Sequence, residues 1–177
     1  AYTKKGGKTL DERFSVKLEK LIAQFDLELI HCKGDLCNIS IDSLDVNRPG
    51  MQLSGFYDCF DPTRIQVFGM VEHAYLKAQS EDIRKEKLRA FFANKIPVLI
   101  ITRGLEVFDE LEAFAKEFDV PVLRTTLSTT SFLSRLVPFL HTELAPRLTR
   151  HGVLVEVYGE GVLLLGESGV GKSEAAI

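Results

Sequence analysis

Gly166-Glu167-Ser168-Gly169-Val170-Gly171-Lys172-Ser173 has the spacing G-x-x-x-x-G-K-S, directly after the apolar run Val162-Leu163-Leu164-Leu165. Residues of these types at this spacing bind phosphate. Glycines let backbone N–H groups converge without Cβ clashes and so form a nest for anionic oxygens. The helix that opens after such a loop adds unpaired N–H groups and the positive end of its dipole. Lys172 can carry a point charge to the β- and γ-phosphates of a nucleoside triphosphate, and the Ser173 hydroxyl can coordinate Mg2+. The chemistry needs a strand before the loop and a helix after it. Val162 to Leu165 supplies the strand, and Glu174-Ala175-Ala176-Ile177 begins the helix as the 177-residue chain stops.

The elements that must position this loop start at His151. His151-Gly152-Val153-Leu154-Val155-Glu156-Val157-Tyr158 reads as a strand, with Val153, Val155 and Val157 on one face. Gly159-Glu160-Gly161 reads as a three-residue turn, and Val162 to Leu165 returns as the second strand of a hairpin. A turn centred on Glu160 places Leu154 across from Gly166 and brings His151 level with Gly169, beside the phosphates. On spacing alone, His151 is equally readable as a surface histidine at a strand start. A hairpin feeding the loop differs from the usual arrangement, in which a helical crossover leads to a central parallel strand.

Over His151 to Glu174 the chain resembles the HPr kinase/phosphorylase family in one uninterrupted block. Upstream, Asn47-Arg48-Pro49-Gly50-Met51-Gln52-Leu53-Ser54-Gly55-Phe56-Tyr57 and Arg64-Ile65-Gln66-Val67-Phe68-Gly69 are similar to further segments of that family. So are Ser131-Phe132-Leu133-Ser134-Arg135-Leu136 and Leu140 to Arg147. The resemblance implies an ATP- and Mg2+-dependent enzyme that phosphorylates one serine of HPr, the phosphocarrier of the sugar phosphotransferase system. It also implies the reverse activity, in which inorganic phosphate removes that phosphate and pyrophosphate is released, with control of carbon source use as the outcome. By position it makes Lys172 the catalytic lysine of the loop, Ser173 the metal ligand and His151 an active-site histidine. The family assembles as a homohexamer. Its catalytic carboxylate, a second metal-binding carboxylate and the HPr-contacting segment fall beyond Ile177. The chain by itself is therefore expected to be a truncated and inactive form that binds ATP poorly.

Composition agrees with a cytoplasmic α/β protein. A hydrophobic content of 45% supports a sizeable core, and a net charge of −3 without a basic block gives no electrostatic footprint for nucleic acid. No apolar run is long enough to span a membrane. The three cysteines, Cys32, Cys37 and Cys59, form no disulfide framework, which suits a reducing compartment. Cys32 and Cys37 lack a second pair of ligands that would make a metal site.

Residues 1–145 are expected to form a small α/β domain with a mostly parallel sheet flanked by helices. Residues 146–150 are expected to be a linker, and 151–177 the hairpin and P-loop that open a truncated kinase domain. A helix is expected over Phe14 to Phe25, then a strand over Leu27 to His31, a turn at Asn47 to Gly50 and a strand over Ile65 to Gly69. Helices follow near Val71 to Ala78 and Glu81 to Ala93, the second capped by Ser80. Pro97-Val98-Leu99-Ile100-Ile101-Thr102 is a continuous apolar run suited to a parallel strand buried on both faces. Phe108, Leu111, Ala115 and Phe118 mark a helix, and Val120 to Leu123 a second parallel strand, joined by a right-handed crossover. Thr129 or Thr130 is expected to cap a last helix. Arg48, Arg64, Arg103 and Arg124 include residues at or near strand ends, and Arg103 and Arg124 each follow a parallel strand, outside whose carboxyl end α/β sheets bind ligands. The competing reading of these arginines is local salt bridges. His31, His73 and His141 have no partners at metal-like or triad-like spacing.

Two other functions fit parts of the chain. Residues 1–145 could be a non-catalytic sensor or interaction module, or the whole could be a small-molecule P-loop kinase or GTPase. The hairpin ahead of the loop counts against the last.

Overall fold

The run Pro97 to Thr102 has no polar residue before its last position, so a strand there must be covered on both faces. The computed structural model describes residues 14–35, 38–146 and 152–166, together with Gly169, Gly171 and Glu174. The chain divides into two units between Ala145 and Pro146.

The first unit begins with β1 (Val16–Lys17), α1 (Leu18–Phe25), β2 (Glu28–His31), β3 (Ser40–Ile41) and β4 (Val46–Asn47). It continues with α2 (Gly50–Leu53), β5 (Ile65–Phe68), α3 (Met70–Lys77) and α4 (Glu81–Phe92). It ends with β6 (Leu99–Ile101), α5 (Asp109–Glu117), β7 (Val122–Arg124) and α6 (Thr129–Glu143). A five-stranded sheet has the order β2-β7-β6-β5-β4. Strands β4 to β7 are mutually parallel, and β2 runs antiparallel to β7. Because successive parallel strands always step in the same direction, right-handed crossovers put α2 to α5 on one face. Helices α1 and α6 cover the other.

Two cores result. Phe68, Leu99, Ile101 and Val122 point into the first, against Leu76, Phe91, Phe92 and Leu111. Val67, Val98, Ile100 and Leu123 point into the second, against Leu18, Leu21, Phe132, Leu136 and Leu140. The alternation along β5 and β6 is the period-2 geometry of a strand read on two buried faces.

Several local expectations are corrected. The helix expected from Phe14 starts at Leu18, because Val16 and Lys17 pair with Ile41 and Ser40. Ser80 is the cap residue of α4 with extended backbone, but its side chain makes no capping hydrogen bond. Helix α6 is capped by Ser128, which accepts from the Ser131 N–H at 3.1 Å, rather than by Thr129 or Thr130. Thr129 turns inward instead, to Thr102.

Helices α4 and α5 are joined by a forked ion pair. Arg84 donates through Nε and Nη2 to Glu110 Oε1, at 3.0 and 2.6 Å. The hydrogen bonds from Arg84 hold the Glu110 carboxyl below the ordinary glutamate range. A lowered carboxyl stabilises the fold fully above its ordinary range, near pH 4.3 to 4.5, and loses that contribution as the pH falls through the lowered value. The stability gap between the natural protein and Arg84→Met, followed by urea unfolding, should therefore narrow as the pH is lowered from 7 toward 3. A gap independent of pH would contradict this account of the pair.

Candidate functional site

Among the described residues, two of the places suggested by the sequence can be compared. The first is the second unit, where β8 (Gly152–Val157) and β9 (Glu160–Leu165) form an antiparallel hairpin leading into the glycine-rich segment. Tyr158 and Gly159 close it, with φ of 54° and 83°. Two successive left-handed residues make the two-residue turn whose twist matches the strands. The expected three-residue turn is therefore corrected, and the register moves by three. Leu154 faces Leu163 rather than Gly166, and Gly152 faces Leu165. The geometric reason for placing His151 level with Gly169 falls with the old register.

In the loop, Gly169 and Gly171 have φ of 88° and 80°. A residue with a Cβ is strained there, so these positions call for glycine. His151, Glu167, Ser168, Val170, Lys172 and Ser173 lie outside the described residues. Of the expected phosphate-site residues, the structure thus describes Gly166, Gly169 and Gly171. The hairpin has apolar residues on both faces, and Leu154, Leu163 and Leu165 of one face are exposed. An isolated two-stranded hairpin is marginal in water, so these side chains call for a covering layer.

The second place is the carboxyl end of the parallel strands in the first unit, where ligands of α/β sheets bind. Here the structure gathers Arg48, Gly69, Glu72, Thr102 and Thr129. Buried Glu72 accepts from the Gly69 N–H at 2.8 Å and pairs with Arg48 at 2.9 Å. Thr102 Oγ1 donates to the Phe68 carbonyl at 2.9 Å and lies 2.7 Å from Thr129 Oγ1. These groups satisfy one another. The Gly69-x-x-Glu72 spacing after a strand is the sequence signal that could have identified Glu72.

The other strand-end arginines are engaged as well. Arg124 grips Glu28 with two bonds of 2.7 Å. That hydrogen bonding lowers the Glu28 carboxyl and raises the Arg124 guanidinium. Arg64 pairs with Asp45 at 3.3 Å and Asp61 at 3.1 Å. Asp61 also accepts from the Thr63 hydroxyl and N–H, and these bonds are the main cause of its lowered pKa. The salt-bridge reading of Arg48, Arg64 and Arg124 is therefore what the structure shows. Arg103 is exposed in a left-handed backbone, with φ of 64°, and has no ion pair among the described residues.

His73 stacks on Phe108 with centroids 4.7 Å apart, and its Nε2 lies 3.1 Å from the Glu106 carbonyl oxygen. No group of His, Cys, Asp and Glu among the described residues could hold a metal ion. Among the same residues, no helix is long and apolar enough to cross a membrane.

Both units of the chain are covered by matches to known families. The family described as "HPr Serine kinase N terminus" matches residues 16–140, and "HPr Serine kinase C-terminal domain" matches residues 142–177. The chain belongs to the HPr serine kinase family.

It is 44% identical over 164 residues to the HPr kinase/phosphorylase of Lachnoclostridium phytofermentans, covering 93% of this chain and 53% of that protein. It is 48% identical over 162 residues to that of Clostridium perfringens, covering 92% and 52%. To that of Caldicellulosiruptor bescii it is 46% identical over 164 residues, covering 93% and 53%. The chain spans about half the length of the curated relatives it matches. A solved structure of the CBS and DRTGG domains of a Clostridium perfringens pyrophosphatase regulatory region superposes at a TM-score of 0.49 and 13% identity. It covers 85% of this chain and 69% of that one, a likeness too weak to add to the family assignment.

The polar cluster at the strand ends has a sharp steric test. A Cβ added at Gly69 would lie 2.6 Å from Thr129 Oγ1, and 3.3 Å from Arg48 Nη2 and Glu72 Oε2. Gly69→Ala should destabilise the first unit by about 1–3 kcal/mol in denaturant unfolding, the usual range for overpacking. Unchanged stability would show that the cluster can open without cost.

Proposed function

We propose that the full-length gene product is an ATP- and Mg2+-dependent kinase that phosphorylates a serine of HPr, and that it also reverses this as a phosphorylase. The observation that carries the reading is the family match over residues 142–177, which contains the G-x-x-x-x-G-K-S segment. The left-handed Gly169 and Gly171 agree with it, because convergent backbone N–H groups require such conformations.

The roles follow from residue chemistry. The backbone from Gly166 to Ser173 cradles phosphate oxygens. Lys172 neutralises charge on the β- and γ-phosphates. The Ser173 hydroxyl is a hard oxygen donor that fits Mg2+. Bound Mg2+ supplies neutralisation of the phosphate charge. His151 stands close to the phosphates, on the strength of the resemblance. In the forward direction the HPr serine oxygen bonds to the γ-phosphorus, the bond to the ADP oxygen breaks, and a base accepts the serine proton. In reverse, an oxygen of inorganic phosphate bonds to the phosphoserine phosphorus, the bond to the serine oxygen breaks and that oxygen takes up a proton, giving pyrophosphate and free serine. The proposal includes a cytoplasmic homohexamer and a part in carbon catabolite repression. Residues 1–145 then serve as a regulatory or interaction domain, a reading supported by strand-end polar groups that already satisfy one another.

The test is transfer of the terminal phosphate of ATP to purified HPr by the full-length gene product, with pyrophosphate release measured in the reverse direction. Lys172→Met should lower the rate by on the order of 100-fold or more, as for loss of a preorganised charge donor. Failure of the natural protein to label HPr, or full activity in Lys172→Met, would refute the proposal.

A further inference from the structure

Gly152 lies opposite Leu165, the residue immediately before Gly166. A Cβ built on Gly152 would fall 2.7 Å from the Leu164 carbonyl oxygen, 3.0 Å from Leu163 Cδ1 and 3.1 Å from Leu165 Cδ2. The two leucine methyl groups can rotate away. The carbonyl cannot, because it belongs to the backbone of β9. Gly152 is not among the left-handed glycines, so what this position needs is space rather than an unusual backbone angle. The other glycine of the ladder, Gly161 opposite Glu156, is different. A Cβ there would meet only Leu154 Cδ1, at 4.0 Å.

From this we infer that Gly152 is a positioning residue for the phosphate loop. By admitting the Leu164 carbonyl it lets β8 seat against the last residues of β9, and so fixes where Leu165 and Gly166 lie. A side chain at Gly152 would meet the Leu164 carbonyl and so shift Leu165 and Gly166, where the loop starts. The inference rests on the proposed reading of Gly166 to Ser173 as an ATP site. A displacement of about 1 Å at such a distance can cost up to about 100-fold in function. Because the loop binds phosphate before and during transfer and carries Lys172, the loss should appear in ATP affinity and in kcat/KM.

The experiment compares the full-length natural protein with Gly152→Ala and Gly161→Ala. It measures ATP affinity by titration, KM and kcat with HPr, and thermal melting. Gly152→Ala should weaken ATP binding and lower kcat/KM by about tenfold or more, with the thermal melting of the protein little changed. Gly161→Ala should match the natural protein. Equal losses in both variants, no loss in Gly152→Ala, or unfolding of Gly152→Ala would overturn the inference, since each makes the glycine dispensable or merely structural. Failure of the natural protein itself to bind ATP would instead overturn the reading of the loop, and the inference with it.

Discussion

The first unit depends on burying a parallel sheet on both faces. Parallel strands cannot be joined by tight turns, so each connection needs a crossover, and the crossovers supply the covering helices. Leu99, Ile100 and Ile101 are all buried, which leaves β6 no polar face to offer water. The constraint then fixes the rest. Strands β4 to β7 step in one direction, α2 to α5 cover one face, and α1 and α6 must cover the other. It also explains the polar cluster at Gly69. Thr102 and Glu72 emerge where buried strands end, and buried polar groups must find partners there.

The second unit obeys a different constraint. Its ladder is set by a two-residue turn, and its far end, where Gly152 meets Leu165, delivers the chain to the glycine-rich loop. A hairpin can aim a loop only as well as its strands hold register. The left-handed Tyr158 at the turn and the close approach at Gly152 act at opposite ends of the same ladder. Together they translate a local turn preference into the position of Gly166.

Much of the fold was legible in the residues. The Pro97 to Thr102 run, the helical spacing of Phe108 to Phe118 and the strand after it appear as β6, α5 and β7, with the strands parallel. Two-residue strands such as β1, β3 and β4 were not, because two positions cannot display a period. The hairpin was legible but its register was not. Gly159-Glu160-Gly161 suggests the turn, while the structure uses Tyr158, a residue type that does not announce a left-handed angle. Thr129 was read as a cap because it stands at a helix start, yet the buried Thr102 hydroxyl draws it inward and leaves Ser128 to cap. At the candidate site, the G-x-x-x-x-G-K-S segment after an apolar run suggests a phosphate loop, whereas the close approach at Gly152 depends on strand pairing and appears only in three dimensions.

The central claim is that nucleotide engages the hairpin unit and not the strand ends of the first unit. Hydrogen–deuterium exchange of the full-length gene product, with and without ATP and Mg2+, tests it most directly. The account predicts slowed exchange from Gly152 through Ser173 on adding nucleotide, with Arg48, Gly69 and Arg103 unchanged. Protection around Arg48, Gly69 and Arg103 with none in the glycine-rich loop would contradict it.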